Sequence, residues 1–258
     1  MGRREAVVYG RRACLAVAEY RPEAILRVLY HEGSPHRDLA PLFKACARQK
    51  RPYRQVSTED LLRVSGSEHH EGVVVVTHPH RSMSLSDYFE TRDSRAPHVP
   101  DTPLPLPIWI ALDGVENDHN HGAIARTLAW FGAEGILWAG RSAQLSGAAL
   151  RIAQGGAERV QLITVPSLVD ALTFLKRHQI LILGADQRGS PLRAQPQQLS
   201  QKKGICWVMG SEQHGLSEAT KRCCDHLLSI PGSGAIESLN VSVSAGILIA
   251  QSYTWLNA

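Results

Sequence analysis

The sequence predicts an α/β protein built on a mostly parallel sheet and preceded by a smaller α/β unit. Three observations carry this reading. From Ile108 onward, short apolar runs alternate with segments of helical periodicity, the pattern of a sheet whose crossovers are helices. The runs at 108–112, 180–183 and 205–209 are continuously apolar, as expected of strands covered on both faces. Between 78 and 107 the periodicity lapses, and Pro79, Pro97, Pro100, Pro103, Pro105 and Pro107 occur without a glycine, which separates the chain into two parts.

The first part, 1–80, reads as a compact α/β unit. Residues 10–19 have a helical pattern and 25–31 a strand pattern, and Leu39, Leu42, Phe43 and Cys46 recur at helical spacing on one face of the next segment. Ser57 has N-cap character ahead of Leu61 and Leu62, and the four valines after Gly72 form a buried-strand pattern. Residues 81–105 read as a semi-rigid, proline-rich linker.

The second part, 106–258, continues with a strand at 108–112, a loop at 113–119 and a helix at 122–131. That helix puts Ala123, Ile124, Thr127, Leu128 and Phe131 on its buried side and Arg126 off it. Strands at 136–138 and 160–165, helices at 148–153 and 167–177, and strands at 180–183, 205–209 and 227–230 complete the alternation. The last two strands both stop at glycine-rich turns, which expose backbone groups at the carboxyl ends of strands, where open α/β sheets form their ligand crevices. A helix starting near Glu237 carries Ser238, Asn240, Ser242 and Ser244 among apolar residues. Its continuation is apolar on more than one face, through Ile247, Leu248, Ile249, Tyr253, Trp255 and Leu256, and so calls for cover on all sides.

Composition narrows the function classes. With 258 residues, 43% hydrophobic and 20% charged, the chain is of ordinary globular composition. No apolar run approaches the ~20 residues of a membrane span, and the basic N-terminus is not followed by the apolar core of a secretory signal, so the expectation is a cytoplasmic protein without membrane contact. Five cysteines without a Cys-x-x-Cys pair argue against a disulfide framework and a zinc site; Cys223-Cys224-Asp225-His226 reads as packing at a helix end, and no metal is expected. A net charge of +4 suits an anionic partner. Basic residues are numerous before residue 60, among them Arg11, Arg12, Lys44, Arg48, Lys50 and Arg51; they read either as a phosphate-binding surface or as a solvated face.

Three long motifs add a resemblance. Asn120-His121-Gly122-Ala123-Ile124-Ala125-Arg126, the turn from Gly210 to Leu216, and the stretch from Ile230 through Ser238-Leu239-Asn240 to Gly246 are similar, in order and spacing, to those of the SpoU (TrmH-type) branch of the SPOUT RNA methyltransferases. The likeness covers 106–258. Tyr9-Gly10-Arg11-Arg12 and His70-Glu71-Gly72 resemble the opening and closing signatures of the small substrate-binding domain that precedes many SpoU catalytic domains, where the family has Gln at the place of Glu71.

The resemblance implies a C-terminal trefoil knot, S-adenosylmethionine as cofactor, a homodimer paired through the catalytic domain, and 2′-O-methylation of a ribose in ribosomal or transfer RNA. The accessory N-terminal domain inclines the choice toward ribosomal RNA. Carried over residue by residue, it makes Gly210, Ile230 and Leu239 main-chain contacts of the cofactor, with Pro231 and Ser238 beside them. It assigns Arg126, Asn120, Glu212, Ser238 and Asn240 to the catalytic group. Arg126 is the family's proposed agent of proton removal, yet a guanidinium with a pKa above ~12 is always charged, so stabilising the developing alkoxide or holding the adjacent phosphate are roles it fits better. His121 and His214 stand where the family varies and are not assigned. Gly232 and Gln213 depart from the family's methionine and glycine. Two other readings stay open: an RNA-binding protein of the same fold without turnover, and methylation of a base.

Overall fold

A computed structural model describes residues 5–33, 36–80, 83–92, 106–140, 144–192 and 196–257. It contains two compact units.

The first unit combines the chain up to residue 81 with 121–126 and 144–159. Its elements are β1 (Ala6–Tyr9), α1 (Arg11–Tyr20), β2 (Ile25–His31), α2 (His36–Arg48), β3 (Tyr53–Val56), α3 (Thr58–Ser65) and β4 (Val73–Thr77). The sheet runs β1-β4-β2-β3, with β4 antiparallel to both neighbours and β3 parallel to β2. Central β4 is buried along its whole length, which is why four consecutive valines were legible as a strand. Both edge strands, β1 and β3, escape the sequence reading; β3 is almost wholly exposed and carries no apolar signal. Ser57 caps α3 by accepting the Asp60 N–H at 3.1 Å, and Gly66 ends it in the left-handed conformation (φ 66°).

Helix α1 has glycine at its N-cap and no side-chain cap of its own. A distant carboxylate does the work: Glu71 Oε2 accepts the Arg11 N–H at 2.9 Å. An amide oxygen at the same place would also accept this bond, which accounts physically for Glu and Gln standing at one position.

In the second unit α4 (Leu85–Arg92) comes first, inside the stretch read as a linker. Leu85 and Tyr88 are buried, Tyr88 packs edge-on against Trp109 at 4.9 Å between ring centroids, and its hydroxyl donates to the Glu134 carboxylate. Three apolar residues in a single turn are too short a pattern to show against the surrounding prolines. The remainder of the linker, 81–82 and 93–105, lies outside the described residues.

The alternation that follows comprises β5 (Ile108–Asp113), α5 (Asp118–Phe131), β6 (Gly135–Ala139), α6 (Gly147–Ala153), β7 (Gln161–Val165), α7 (Leu168–Arg177), β8 (Ile180–Pro191), β9 (Gly204–Gly210), α8 (Glu218–Cys223), β10 (His226–Ser229) and α9 (Val241–Asn257). Six strands form one sheet, β10-β8-β9-β5-β6-β7, in which every neighbouring pair is parallel. Parallel strands all point the same way, so the turns after β5, β9 and β10 share one edge of the sheet. The core beneath α7 holds Trp109, Leu137, Ile163, Leu172, Ile182 and Val208, with Cys223 and Cys224 packed against it. Helix α6 belongs with the first unit, where it lies on β1.

Three boundaries differ from expectation. Helix α5 starts at Asp118 because Asn117 caps it, accepting the His119 N–H at 3.0 Å, so Asn120 is already helical. Strand β8 runs on to Pro191; its second half is mostly polar and only partly covered, and it rejoins β10 at Ser190 and Pro191 beyond a register shift, which no hydrophobic pattern reports. Helix α9 begins at Val241 and not near Glu237. Asn240 is the cap: its Oδ1 accepts the Ser242 N–H at 2.9 Å and its carbonyl accepts the Ser244 N–H at 3.0 Å. Residues 231–240 are all exposed and include Gly232 and Gly234, so nothing apolar holds them in a helix before Val241, the first buried position.

Candidate active site

The register between the two central strands of the sheet places Asp113, last in β5, opposite Gly210, last in β9. Beyond Gly210 the chain reverses at once. Gly215 donates its N–H to the Ser211 carbonyl at 2.9 Å, Gly215 itself is left-handed (φ 65°), and a Cβ on Gly210 would overlap the Gly215 carbonyl. The turn is fastened at both ends. Ser211 Oγ accepts the His214 N–H at 3.1 Å, and Asp113 Oδ2 accepts the Ser217 N–H at 2.7 Å.

Glu212 is presented at the tip of this turn and meets two carboxamides from distant parts of the chain. Its Oε1 accepts from Asn240 Nδ2 at 2.9 Å and from Asn120 Nδ2 at 3.3 Å; Asn240 Nδ2 also donates to Asn120 Oδ1 at 3.1 Å. Asn120 is 5% exposed, so its polar atoms depend on these partners. The result is a closed triangle joining the start of α5, the turn after β9 and the start of α9. Because Asn240 Oδ1 is simultaneously the α9 cap and accepts from Ser242 Oγ at 2.6 Å, the triangle fixes where the last helix begins.

Three of the five residues expected in the catalytic group are therefore brought together: Asn120, Glu212 and Asn240. Ser238 is exposed in the loop before α9 and makes no hydrogen bond with a described residue. Arg126 is exposed on α5, ~9 Å further along the helix axis than Asn120 at 1.5 Å per residue, and has no hydrogen bond or ion pair with a described residue.

For the cofactor, Gly210 closes β9, Ile230 follows β10 half-buried, and Pro231 and Leu239 lie in the exposed loop, Leu239 at 41%. Apart from the Ala235 N–H, which donates to Ser233 Oγ, no backbone N–H from Gly232 to Asn240 donates to a described residue. A run of available main-chain donors beside a glycine turn, at the carboxyl edge of a parallel sheet, suits a ligand that carries hydrogen-bond acceptors. Two participants were missed by the sequence reading. Asp113 anchors the turn, and an acidic residue closing a strand before a loop was the available signal; Ser242 braces Asn240, and the signal was the Asn-x-Ser spacing of a cap.

Comparison with known proteins agrees with this geometry. Residues 107–250 match the SpoU rRNA Methylase family, and residues 7–83 match the RNA 2′-O ribose methyltransferase substrate binding family. The chain is 31% identical over 246 residues to the 23S rRNA (guanosine-2′-O-)-methyltransferase RlmB of Escherichia coli K12, covering 94% of this chain and 96% of that one. It is 30% identical over 252 residues to the uncharacterized tRNA/rRNA methyltransferase YfiF of Escherichia coli O157:H7, covering 96% of this chain and 67% of the relative. In fold it is similar to the AdoMet-bound rRNA methyltransferase of Sinorhizobium meliloti, with a TM-score of 0.77 at 20% identity over 98% of this chain and 88% of that one. The motif that contributes Asn120, the turn that contributes Glu212 and the tail that contributes Asn240 all fall inside the matched region, and the chain belongs to the SpoU rRNA Methylase family.

Proposed function

We propose that this chain is an S-adenosylmethionine-dependent methyltransferase that modifies a ribose 2′-hydroxyl in ribosomal RNA, the RNA on which the Escherichia coli relative RlmB acts. The observation that carries the proposal is the Asn120–Glu212–Asn240 triangle, in which the three family motifs close on one another at the carboxyl edge of the sheet. The cofactor supplies a methyl group on a sulfonium, a good leaving group, so the protein's task is positioning and management of one weakly acidic proton. Gly210, Ile230 and Leu239 would hold the cofactor by main-chain groups, with Pro231 and Ser238 alongside. Glu212, bridging two carboxamides, keeps the turn and the tail loop in register. Arg126, a charge without a partner among the described residues, offers a forked donor to the attacking oxygen or its neighbouring phosphate.

Three finer features belong to the same reading. The tail forms the trefoil knot of SPOUT proteins; in support, β10 lies beyond β8 while α9 returns to β9, where Trp207 Nε1 donates to Ser252 Oγ at 2.7 Å. The protein pairs with a second copy through α9 and the end of α5, where Val243, Ile247, Tyr253 and Trp130 are exposed, Trp130 at 82%. It works in the cytoplasm; no helix among the described residues is long and apolar enough to cross a membrane.

Incubation with methyl-labelled cofactor and ribosomal RNA, followed by nucleoside mass spectrometry, should give a 2′-O-methylated nucleoside. Label in a base would replace this chemistry by another, and cofactor binding without any transfer would leave an RNA-binding protein of the same fold. Light scattering at micromolar concentration should give twice the chain mass.

A further inference from the structure

A cavity lies in the first unit, lined by none of the triangle residues. It has a volume of about 460 Å³, within the range of roughly 300–1,000 Å³ of small-molecule sites, and opens between β1 and the segment leading into α6. Its walls are apolar where Ala6, Leu145 and the Tyr9 ring face it, and its rim is polar through Glu5, Gln144 and Ser146. Tyr9 is 5% exposed as a residue, and its hydroxyl, which bonds to no described residue, is free to donate or accept. Gln144 likewise has donor and acceptor capacity without a partner among the described residues. Glu5 is held in place by Arg27, which donates to Oε1 at 2.9 Å and to Oε2 at 2.8 Å, leaving a further lone pair on each oxygen.

We infer that this cavity takes an unpaired guanine base of the RNA substrate, an assignment that rests on the proposed RNA methyltransferase function. The walls accept a flat ring, and the rim supplies what its edge demands. A fixed carboxylate with two free acceptor positions matches adjacent N–H donors, which guanine presents at N1 and N2 and adenine does not. Tyr9 and Gln144 supply the remaining donor capacity for ring nitrogen or carbonyl oxygen. Val7, Tyr9 and Ser65 of the lining fall in the region matched to a substrate-binding family.

The test uses the full chain and three single-stranded RNA hexamers with five uridines and one variable position carrying guanine, adenine or no base. Fluorescence anisotropy should show the guanine hexamer binding about tenfold more tightly than the abasic one, in the range expected for one held base. Ala6→Trp, which fills the cavity from the edge strand, and Tyr9→Phe, which removes only the hydroxyl, should each lower that advantage. Glu5→Gln should erase the preference for guanine over adenine. Calorimetric titration with S-adenosylmethionine should give the same affinity in every variant, which also shows that they fold. Equal binding of guanine and abasic hexamers by the unmodified protein, or an advantage untouched by Ala6→Trp, overturns the base site. A guanine-over-adenine preference that survives Glu5→Gln overturns the guanine assignment. If the hexamers are discriminated as expected but no methylated nucleoside forms from ribosomal RNA, the proposed activity fails and the base site stands.

Discussion

Replacing Glu158 by glutamine should destabilise the first unit by an amount that depends on pH. The side chain of Glu158 is 4% exposed. It is bound by Arg21 through two parallel contacts, Nε to Oε2 at 3.0 Å and Nη2 to Oε1 at 3.1 Å, while Arg21 Nη1 donates to the His78 carbonyl at 2.7 Å. His80 Nε2 lies 3.1 Å from Oε2 and adds a second nitrogen neighbour to that oxygen. Burial pushes the carboxyl up; His80 and Arg21 more than offset it and hold it at about 2, against 4.5 for a free glutamate. A depressed carboxyl contributes stability that is complete above the unfolded value and is lost as pH falls toward the folded one. The difference between those two values, at ~1.4 kcal/mol per unit, amounts to on the order of 3 kcal/mol at neutral pH, more than half of it gone by about pH 3. Hydrogen exchange of the buried β4 amides reads this directly. Glu158→Gln should lower their protection by roughly a hundredfold at pH 7 and by about tenfold at pH 3, because only the unmodified protein has this carboxylate to protonate. An equal loss at both pH values would refute the electrostatic account, and a loss under about threefold at pH 7 would mean that the buried pair does no more than break even.

The other expectations concern single contacts. Arg126→Ala should keep fold and cofactor affinity yet lose about a hundredfold or more in single-turnover methylation, with Arg126→Lys recovering little if the planar fork matters; near-normal rates in the alanine variant would remove this residue from the mechanism. Glu212→Ala leaves the buried Asn120 amide without its carboxylate and should cost about 1–3 kcal/mol in urea unfolding, together with weaker S-adenosylmethionine binding by calorimetry; unchanged cofactor affinity would reduce the triangle to a purely structural clasp. Glu71→Ala should cost roughly 1 kcal/mol by removing the acceptor at the start of α1, whereas Glu71→Gln should be close to neutral, and equal losses in both would show that charge and not hydrogen bonding is what α1 needs there.

Much of the fold was legible because burial and periodicity coincide in it. The strands 108–112 and 205–209, the helix after Ser167 and the valine run before Thr77 are buried where they are apolar, and the serine caps stand where the pattern starts. What escaped was held by something other than apolar surface: β3 by edge pairing, the second half of β8 by its ladder with β10, α4 by a single apolar turn, the start of α9 by one asparagine. In the candidate site, residue types and motif order pointed to Asn120, Glu212 and Asn240, but no spacing says that an amide will bond a carboxylate 92 residues away. That is a product of strand order. Ser238 and Arg126 were named on the same basis, yet their side chains have no partner among the described residues, so their roles rest on the chemistry of the reaction.

The division of the chain does not follow its order. Segment 144–159 packs with the first 80 residues, burying Ala149, Leu150, Ala153 and Ala157, and Glu158 is the counter-ion of Arg21. A boundary drawn at residue 80 therefore cuts through a folded body. A shortened protein beginning at residue 81 would carry a helix stripped of its cover and a buried carboxylate without its cation. Such a fragment would be prone to self-association for reasons unrelated to catalysis, and its poor behaviour would be misread as proof that the missing residues bind RNA. Expressing 1–80 as a separate polypeptide alongside the fragment would restore the lost wall and tell the two effects apart.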